Sequence, residues 1–315
     1  MSVLGSLVIV VLLVLAASAV WTRRLAAGAE KAVPQAGKIL RVKGGAIHYT
    51  DDGPRDGQPL VLIHGLAGSM HNLSYALARQ LASDFRVITI DRPGTGYSTR
   101  DDDDLAALPE QAGMIWEFLD KLGVDKPVLV GHSLGGALSL AMALQRRENI
   151  GAVALISPLT ATTQEPPAVF KPLVIRSKLL RRLIAHTIAV PVARLTTGQV
   201  VTEVFAPEPA PADFMIKGGG ILGLRPGSFI AASADLSGVT RSMPAQVARY
   251  REELDVPGGV LYGADDRLLS PDLHGRSMEA FGLFYESLPG RGHMIPVTVP
   301  EACADFVRRV AGLAR

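Results

Sequence analysis

The feature that most constrains this chain is a set of short apolar runs with no polar alternation, each separated from the next by a segment with helical periodicity. PLVLIHG (59–65), RVITID (86–91), PVLVGHS (127–133), GAVALISP (151–158) and GGVLYG (258–263) read as strands covered on both faces. Between them, 71–82 places Leu73, Ala76, Leu77 and Leu81 on one helical face, 108–123 reads as a helix, and LGGALSLAMALQRR follows the third run directly. A parallel sheet with right-handed helical crossovers is the architecture that accommodates this alternation, so the fold class is α/β. ILRVK and GAIHYT (39–43 and 45–50) add a hairpin turning at Gly44 and Gly45, FGLFYESLP (281–289) adds a last strand, and 299–312 a closing helix.

The alternation stops over residues 159–250. Nearly ninety residues between two core strands is too long for an ordinary loop, and the stretch reads as a helical cap over the carboxyl edge of the sheet. Helical pieces are expected at 171–188, within 196–206 and at 240–254, with a bend at PEPAPA (207–212) and a break at Gly218-Gly219-Gly220. Leu179, Leu180, Leu183, Ile184 and Ile188 form an apolar face that either lines a pocket or packs on the body. The organisation is therefore a membrane-type segment at 1–22, a linker at 23–37, a core made of 38–158 and 251–315, and a cap at 159–250.

Composition narrows the function. The 315 residues carry a net charge of only +2, and the basic residues are scattered, which argues against nucleic acid as a partner. The lone cysteine, Cys303, sits in a helical segment and reads as a packing residue; no internal disulfide or cysteine metal site is possible. Asp101–Asp104 is a charge run whose adjacent carboxylates repel one another, and it reads as a solvated loop.

From Val3 to Trp21 there is no charged side chain, and the run has the length a helix needs to cross a bilayer. Arg23 and Arg24 follow it rather than precede it, which favours an uncleaved single-span anchor with the enzyme domain on the cytoplasmic side. Ala17-Ser18-Ala19 keeps open a cleaved signal peptide and export. A buried helix, the third reading, would need a polar face that this run lacks.

The chemistry centres on Gly131-His132-Ser133-Leu134-Gly135, where a strand meets a small-residue helix. A sharp turn there exposes the Ser133 hydroxyl, and the unpaired amides of the helix start point at any negative charge formed beside it. The loop His64-Gly65-Leu66-Ala67-Gly68 follows an earlier strand. Backbone amides of Leu66 and Leu134 are the expected oxyanion donors; His64 reads as a structural loop residue. Asp265 and Asp266 leave a later strand, and of the seven histidines His293 is the only one after them that lies in a glycine-rich strand-exit loop. An imidazole can shuttle the serine proton while a carboxylate fixes its tautomer.

GHSLGG, HGLAGS, DRPGTGYS, LYGADDRLLSP and GRGHM, in this order, resemble the α/β-hydrolase fold superfamily, in particular its cap-bearing esterase, lipase, C–C hydrolase and non-haem peroxidase-like members. The resemblance covers about 38–158 and 250–315 and implies a mostly parallel, eight-stranded sheet. Its G-x-x-D spacing counts from Gly263 and so assigns the acid to Asp266 rather than Asp265. It also implies structural roles for Asp91, Arg92 and His132. Family epoxide hydrolases and haloalkane dehalogenases carry aspartate where Ser133 stands, which argues against both. The expected catalytic set is Ser133, Asp266 and His293, with no metal or organic cofactor, acting on a small, lipophilic carboxylic ester. C–C or amide hydrolysis and perhydrolysis are alternatives on the same scaffold, and a non-catalytic binding or accessory protein is the alternative from another class.

Overall fold

The computed structural model describes residues 2–314. After a long helix α1 (Val3–Ala32), strands β1 (Lys38–Val42) and β2 (Gly45–Asp52) form the expected hairpin, followed by β3 (Pro59–Ile63), β4 (Arg86–Ile90) and β5 (Thr99–Arg100). Helix α2 (Leu108–Leu122), β6 (Val128–His132), helix α3 (Leu134–Gln145) and β7 (Ala152–Ile156) complete the first part of the core. The cap contains α4 (Lys178–Ile184), α5 (Val190–Phe205) and α6 (Pro226–Glu253); β8 (Gly258–Gly263), β9 (Phe284–Leu288) and α7 (Pro300–Ala311) return to the core.

The sheet runs β1-β2-β4-β3-β6-β7-β8-β9, with β5 paired to β2. From β4 to β9 every pairing is parallel; β1, β2 and β5 pair antiparallel. It has nine strands rather than the eight expected. The extra strand, β5, is two residues long, too short to leave a hydrophobic pattern in the sequence. The 71–82 segment is two short helices, His71–Ser74 and Leu77–Leu81, broken between them, and α1 continues through 23–32, a stretch read from sequence as linker.

Both faces of the sheet are covered, as the unalternated strands require. On one side α2 and α3 bury Ile115, Phe118, Leu138 and Leu140 against Val61, Ile63, Leu129 and Val153. On the other, α7 buries Phe306, Val307 and Val310 together with Leu77 and Leu81. Each such large side chain contributes about 1.5–3 kcal/mol on burial. α7 alternates these apolar residues with Arg308, Arg309 and Asp305 at helical spacing, and Cys303 is wholly buried within it.

Two cap readings change. The apolar face of α4 neither lines a pocket nor packs on the body: Leu179 is 82% and Leu183 56% exposed. The aspartate run is not a free solvated loop. Asp103 is buried and bridges Arg181 at 2.5 Å and Arg182 at 2.9 Å, while Lys178 spans Asp102 and Asp104 at 2.8 Å each. The run is the point where the core grips the cap, because the basic residues opposite it lie some eighty positions on, where local charge patterning gives no hint of them.

Candidate active site

Ser133 sits at the junction of β6 and α3 with φ 55° and ψ −121°, in the left-handed region that a side-chain-bearing residue occupies only under constraint. Its amide is tied to the Ile156 carbonyl at 3.1 Å and its own carbonyl accepts from Leu159 and Gly136. Gly135 makes the turn possible. A Cβ there would lie 2.0 Å from the Ile63 carbonyl oxygen, so only glycine lets α3 pass so close to β3.

Opposite the serine, Gly65 plays a similar part, since a Cβ there would meet the Ser133 side chain at 2.9 Å. The loop it begins turns through Ala67 at φ 54°. Leu66 and Leu134 both line the cavity beside Ser133. As the first residue of α3, Leu134 has an amide the helix itself leaves unpaired. Among the described residues the Leu66 amide donates to no protein acceptor.

His293 and Asp266 come from loops after β9 and β8. The imidazole Nδ1 lies 2.6 Å from Asp266 Oδ2, and Asp266 Oδ1 accepts from the Leu268 and Leu269 amides at 2.8 and 3.1 Å. The carboxylate is wholly shielded from solvent. Burial works to raise its pKa, but the His293 imidazole and the two amides outweigh burial and hold it below the ordinary aspartate value. Asp265, its neighbour, is exposed and accepts instead from the Gly290 amide.

Ser133, His293, Leu66 and Leu134 line one cavity of about 160 Å³, walled mainly by apolar side chains including Leu159, Phe170, Leu236 and Met243. Among the described residues no hydrogen bond yet joins the Ser133 hydroxyl to His293, a contact that in unliganded sites commonly tightens only around substrate. Three further histidines surround this centre. His132 donates from Nε2 to the His293 carbonyl at 3.1 Å, and burial lowers its pKa to about 3. His64 donates from Nδ1 to the Gly65 carbonyl and accepts the Arg92 amide at Nε2; burial lowers it likewise to about 3. His274 accepts the Thr160 and Ala161 amides and is lowered by burial to about 4. All three are neutral braces around the loops that carry the site.

Asp91 and Arg92 are buried and occupied with backbone. Asp91 accepts from the Met70 and Tyr97 amides and from His48. Arg92 donates to the carbonyls of His64 and Gly65 at 3.0 and 3.1 Å, pinning the loop that presents Leu66. Its charge is met by Asp235 of α6 at 2.7 Å, which also accepts from Arg100 at 2.7 Å. Sequence reading missed Asp235; its one signal is a carboxylate amid the small residues of FIAASADLSG, in a cap whose placement the sequence left open. Among the described residues no group of three or more His, Cys, Asp or Glu is arranged to hold a metal ion.

The strained Ser133 turn, the glycine loop at 64–68 and the paired Asp266 and His293 at two strand exits thus meet at one cavity. The sequence profile of the alpha/beta hydrolase fold matches residues 58–207, and the architecture of the chain is that of the α/β-hydrolase fold. It is 35% identical over 132 residues to the dihydrolipoyllysine-residue acetyltransferase component of the acetoin cleaving system of Pseudomonas putida, a match covering 41% of this chain and 35% of that protein. It is 37% identical over 93 residues to esterase YbfF of Escherichia coli K12, covering 30% and 35%. The chain thus spans about a third of the length of the curated relatives it matches. Among solved structures, an alpha/beta hydrolase fold protein from Burkholderia ambifaria superposes with a TM-score of 0.70 at 23% identity, over 86% of this chain and 96% of that one. A bacterial membrane phospholipase A superposes with a TM-score of 0.60 at 21% identity over 98% of both chains. These likenesses are of fold.

Proposed function

We propose that this chain is a serine hydrolase of carboxylic esters, held at a membrane by α1. The observation that carries the reading is the short Asp266–His293 contact opening onto the same apolar cavity as the strained Ser133. His293, its tautomer fixed by Asp266, removes the Ser133 proton as the hydroxyl attacks the ester carbonyl. The Leu66 and Leu134 amides receive the charge on the carbonyl oxygen. His293 then protonates the departing alcohol, and water activated by the same imidazole releases the acid and restores the serine. Ionised Asp266 stabilises the imidazolium formed in each half.

The cavity favours a lipophilic acyl group. Its volume is close to that of a cavity able to admit benzene, which suits a chain of about four to six carbons beside the serine. The anchor reading rests on the 18-residue window of α1, whose mean hydropathy is 2.9 and which lies wholly unburied. The test is Ser133→Ala beside wild type on a series of p-nitrophenyl esters, with fluorophosphonate labelling. We expect the variant to lose at least about 10⁴-fold in kcat and all labelling; unchanged turnover would end the proposal.

A further inference from the structure

Where α1 leaves its apolar run it does not swing free. Ser18 and Thr22 both donate to the Thr187 carbonyl, at 2.6 and 3.1 Å, and Thr22 is wholly buried. Thr187 lies in a π-turn at 185–189, a geometry that breaks the regular ladder and leaves a carbonyl available to a neighbour. Further along, Leu25 and Ala29 pack on Val190 and Leu224, and Glu30 pairs with Arg225 at 3.0 Å. The helix is thus fixed to the cap at the level where its apolar surface ends.

The cap segment gripped in this way carries an uncovered apolar stripe. Leu179, Leu180, Leu183, Ile188, Val192 and Leu195 are all exposed, the last at 75%, and 188, 192 and 195 recur at helical spacing. Arg23, Arg24, Arg176 and Arg194 lie in the same segments, exposed and without an ion pair among the described residues. The Ser18 and Thr22 contacts fall at the end of the apolar run of α1, just before Arg23 and Arg24, and so set the cap at the level where that run leaves the hydrocarbon, within the roughly 5–10 Å that an apolar helix face sinks into the headgroup and acyl boundary.

Resting on the anchor reading above, we infer that the cap docks into the bilayer surface through this leucine-rich stripe. The unpaired arginines then meet anionic headgroups, and the cavity mouth is held next to lipid. Water-facing leucines that cost solubility become buried area once the anchor brings them to the membrane.

The test places an environment-sensitive nitrobenzoxadiazole label at Leu183→Cys and at Leu195→Cys in the full chain, with Glu148→Cys as control. Cys303 is wholly buried and does not compete. Glu148 is exposed and precedes β7, at the amino end of the parallel strands and so at the opposite end of the sheet from Ser133 and the exposed leucines. In phosphatidylethanolamine–phosphatidylglycerol proteoliposomes we expect blue-shifted emission at 183 and 195, quenched at least twofold by doxyl lipids, and neither change at 148. If 183 and 195 behave like 148 while the protein resists carbonate extraction, the anchor stands and docking is overturned. A blue shift without lipid quenching overturns it too, because a second protein copy then covers the stripe. If carbonate strips the protein, the anchor reading falls, and lipid quenching at 183 and 195 decides docking by itself. In a second arm, Leu179→Ser, Leu183→Ser and Leu195→Ser combined should lower turnover of a bilayer-embedded diacyl ester at least fivefold and leave that of p-nitrophenyl butyrate unchanged; equal effects on both, or none, count against docking.

Discussion

Replacing Asp235 with asparagine tests how far the cap and the catalytic loops form one unit. In the native protein Asp235 and the Arg92 guanidinium have no solvent exposure, and the Arg100 side chain has 3%. Asp235→Asn keeps the volume but leaves two buried cations without a counter-charge, and turns one end of the amide toward a guanidinium as a second donor. Removing one partner of a buried pair costs about 3–5 kcal/mol, most of it the penalty of an uncompensated charge. For a domain of this size that corresponds to a fall in Tm of about 6–10 °C.

The same change reaches the chemistry through Arg92. Its guanidinium holds the His64 and Gly65 carbonyls and so fixes where the Leu66 amide points. Complete loss of an oxyanion donor costs about 10²–10³ in kcat, so a loosened donor should cost about tenfold, with KM for a short ester little changed. Thermal unfolding followed by circular dichroism in detergent, with steady-state kinetics on p-nitrophenyl butyrate, reads both quantities. Arg100→Met added to Asp235→Asn should cost less than the two singles summed, since it removes a stranded charge. A variant melting within about 2 °C of wild type with full kcat would refute the reasoning.

Other consequences are more direct. Asp266→Asn should lower kcat by about 10⁴-fold on all esters with the fold intact, because the imidazolium loses its carboxylate; a loss under tenfold in steady-state assays would place the acid elsewhere. Stability should fall as the solution is acidified from about pH 6.5 toward pH 4. His64, His132 and His274 have folded pKa values of about 3, 3 and 4, below their unfolded value of 6.5, so in that window the unfolded chain binds more protons. Each contributes up to about 1.4 kcal/mol per pH unit, and urea titrations with a flat midpoint across the window would contradict it. Gly135→Ala should abolish both activity and fluorophosphonate labelling, since its methyl would stand 2.0 Å from the Ile63 carbonyl oxygen; a labelled, active variant would mean that α3 moves freely on β3.

What could be read from sequence follows from the range of the forces involved. The strands were legible because burial on both faces removes polar residues from each one locally, as in Leu60–Ile63 and Ala152–Ile156. The turn at Ser133 was legible because its glycines sit within two residues of it. β5 was not, since two residues held by pairing with Gly45 and Ala46 need no pattern of their own. The resemblance singled out Asp266 by its spacing from Gly263, and the physical counterpart is that the chain turns at 263–266 to bring one carboxylate inward and leave Asp265 outside.

The cap resisted reading because its determinants are pairs far apart in the chain. Asp103 meets Arg181 across 78 positions and Arg92 meets Asp235 across 143. Each side chain alone is an ordinary charged residue on a polar segment, and only the folded sheet, by carrying the 91–104 loop to the rim under α6, makes the pairings exclusive. Burial then makes them costly to break, so the same contacts that fix the cap over Ser133 also set the geometry of the Leu66 loop. On that account a cap borrowed from a different α/β-hydrolase-fold protein, lacking a carboxylate opposite Arg92, would leave that guanidinium buried and unpaired, and the Leu66 loop would loosen even with Ser133, Asp266 and His293 all in place.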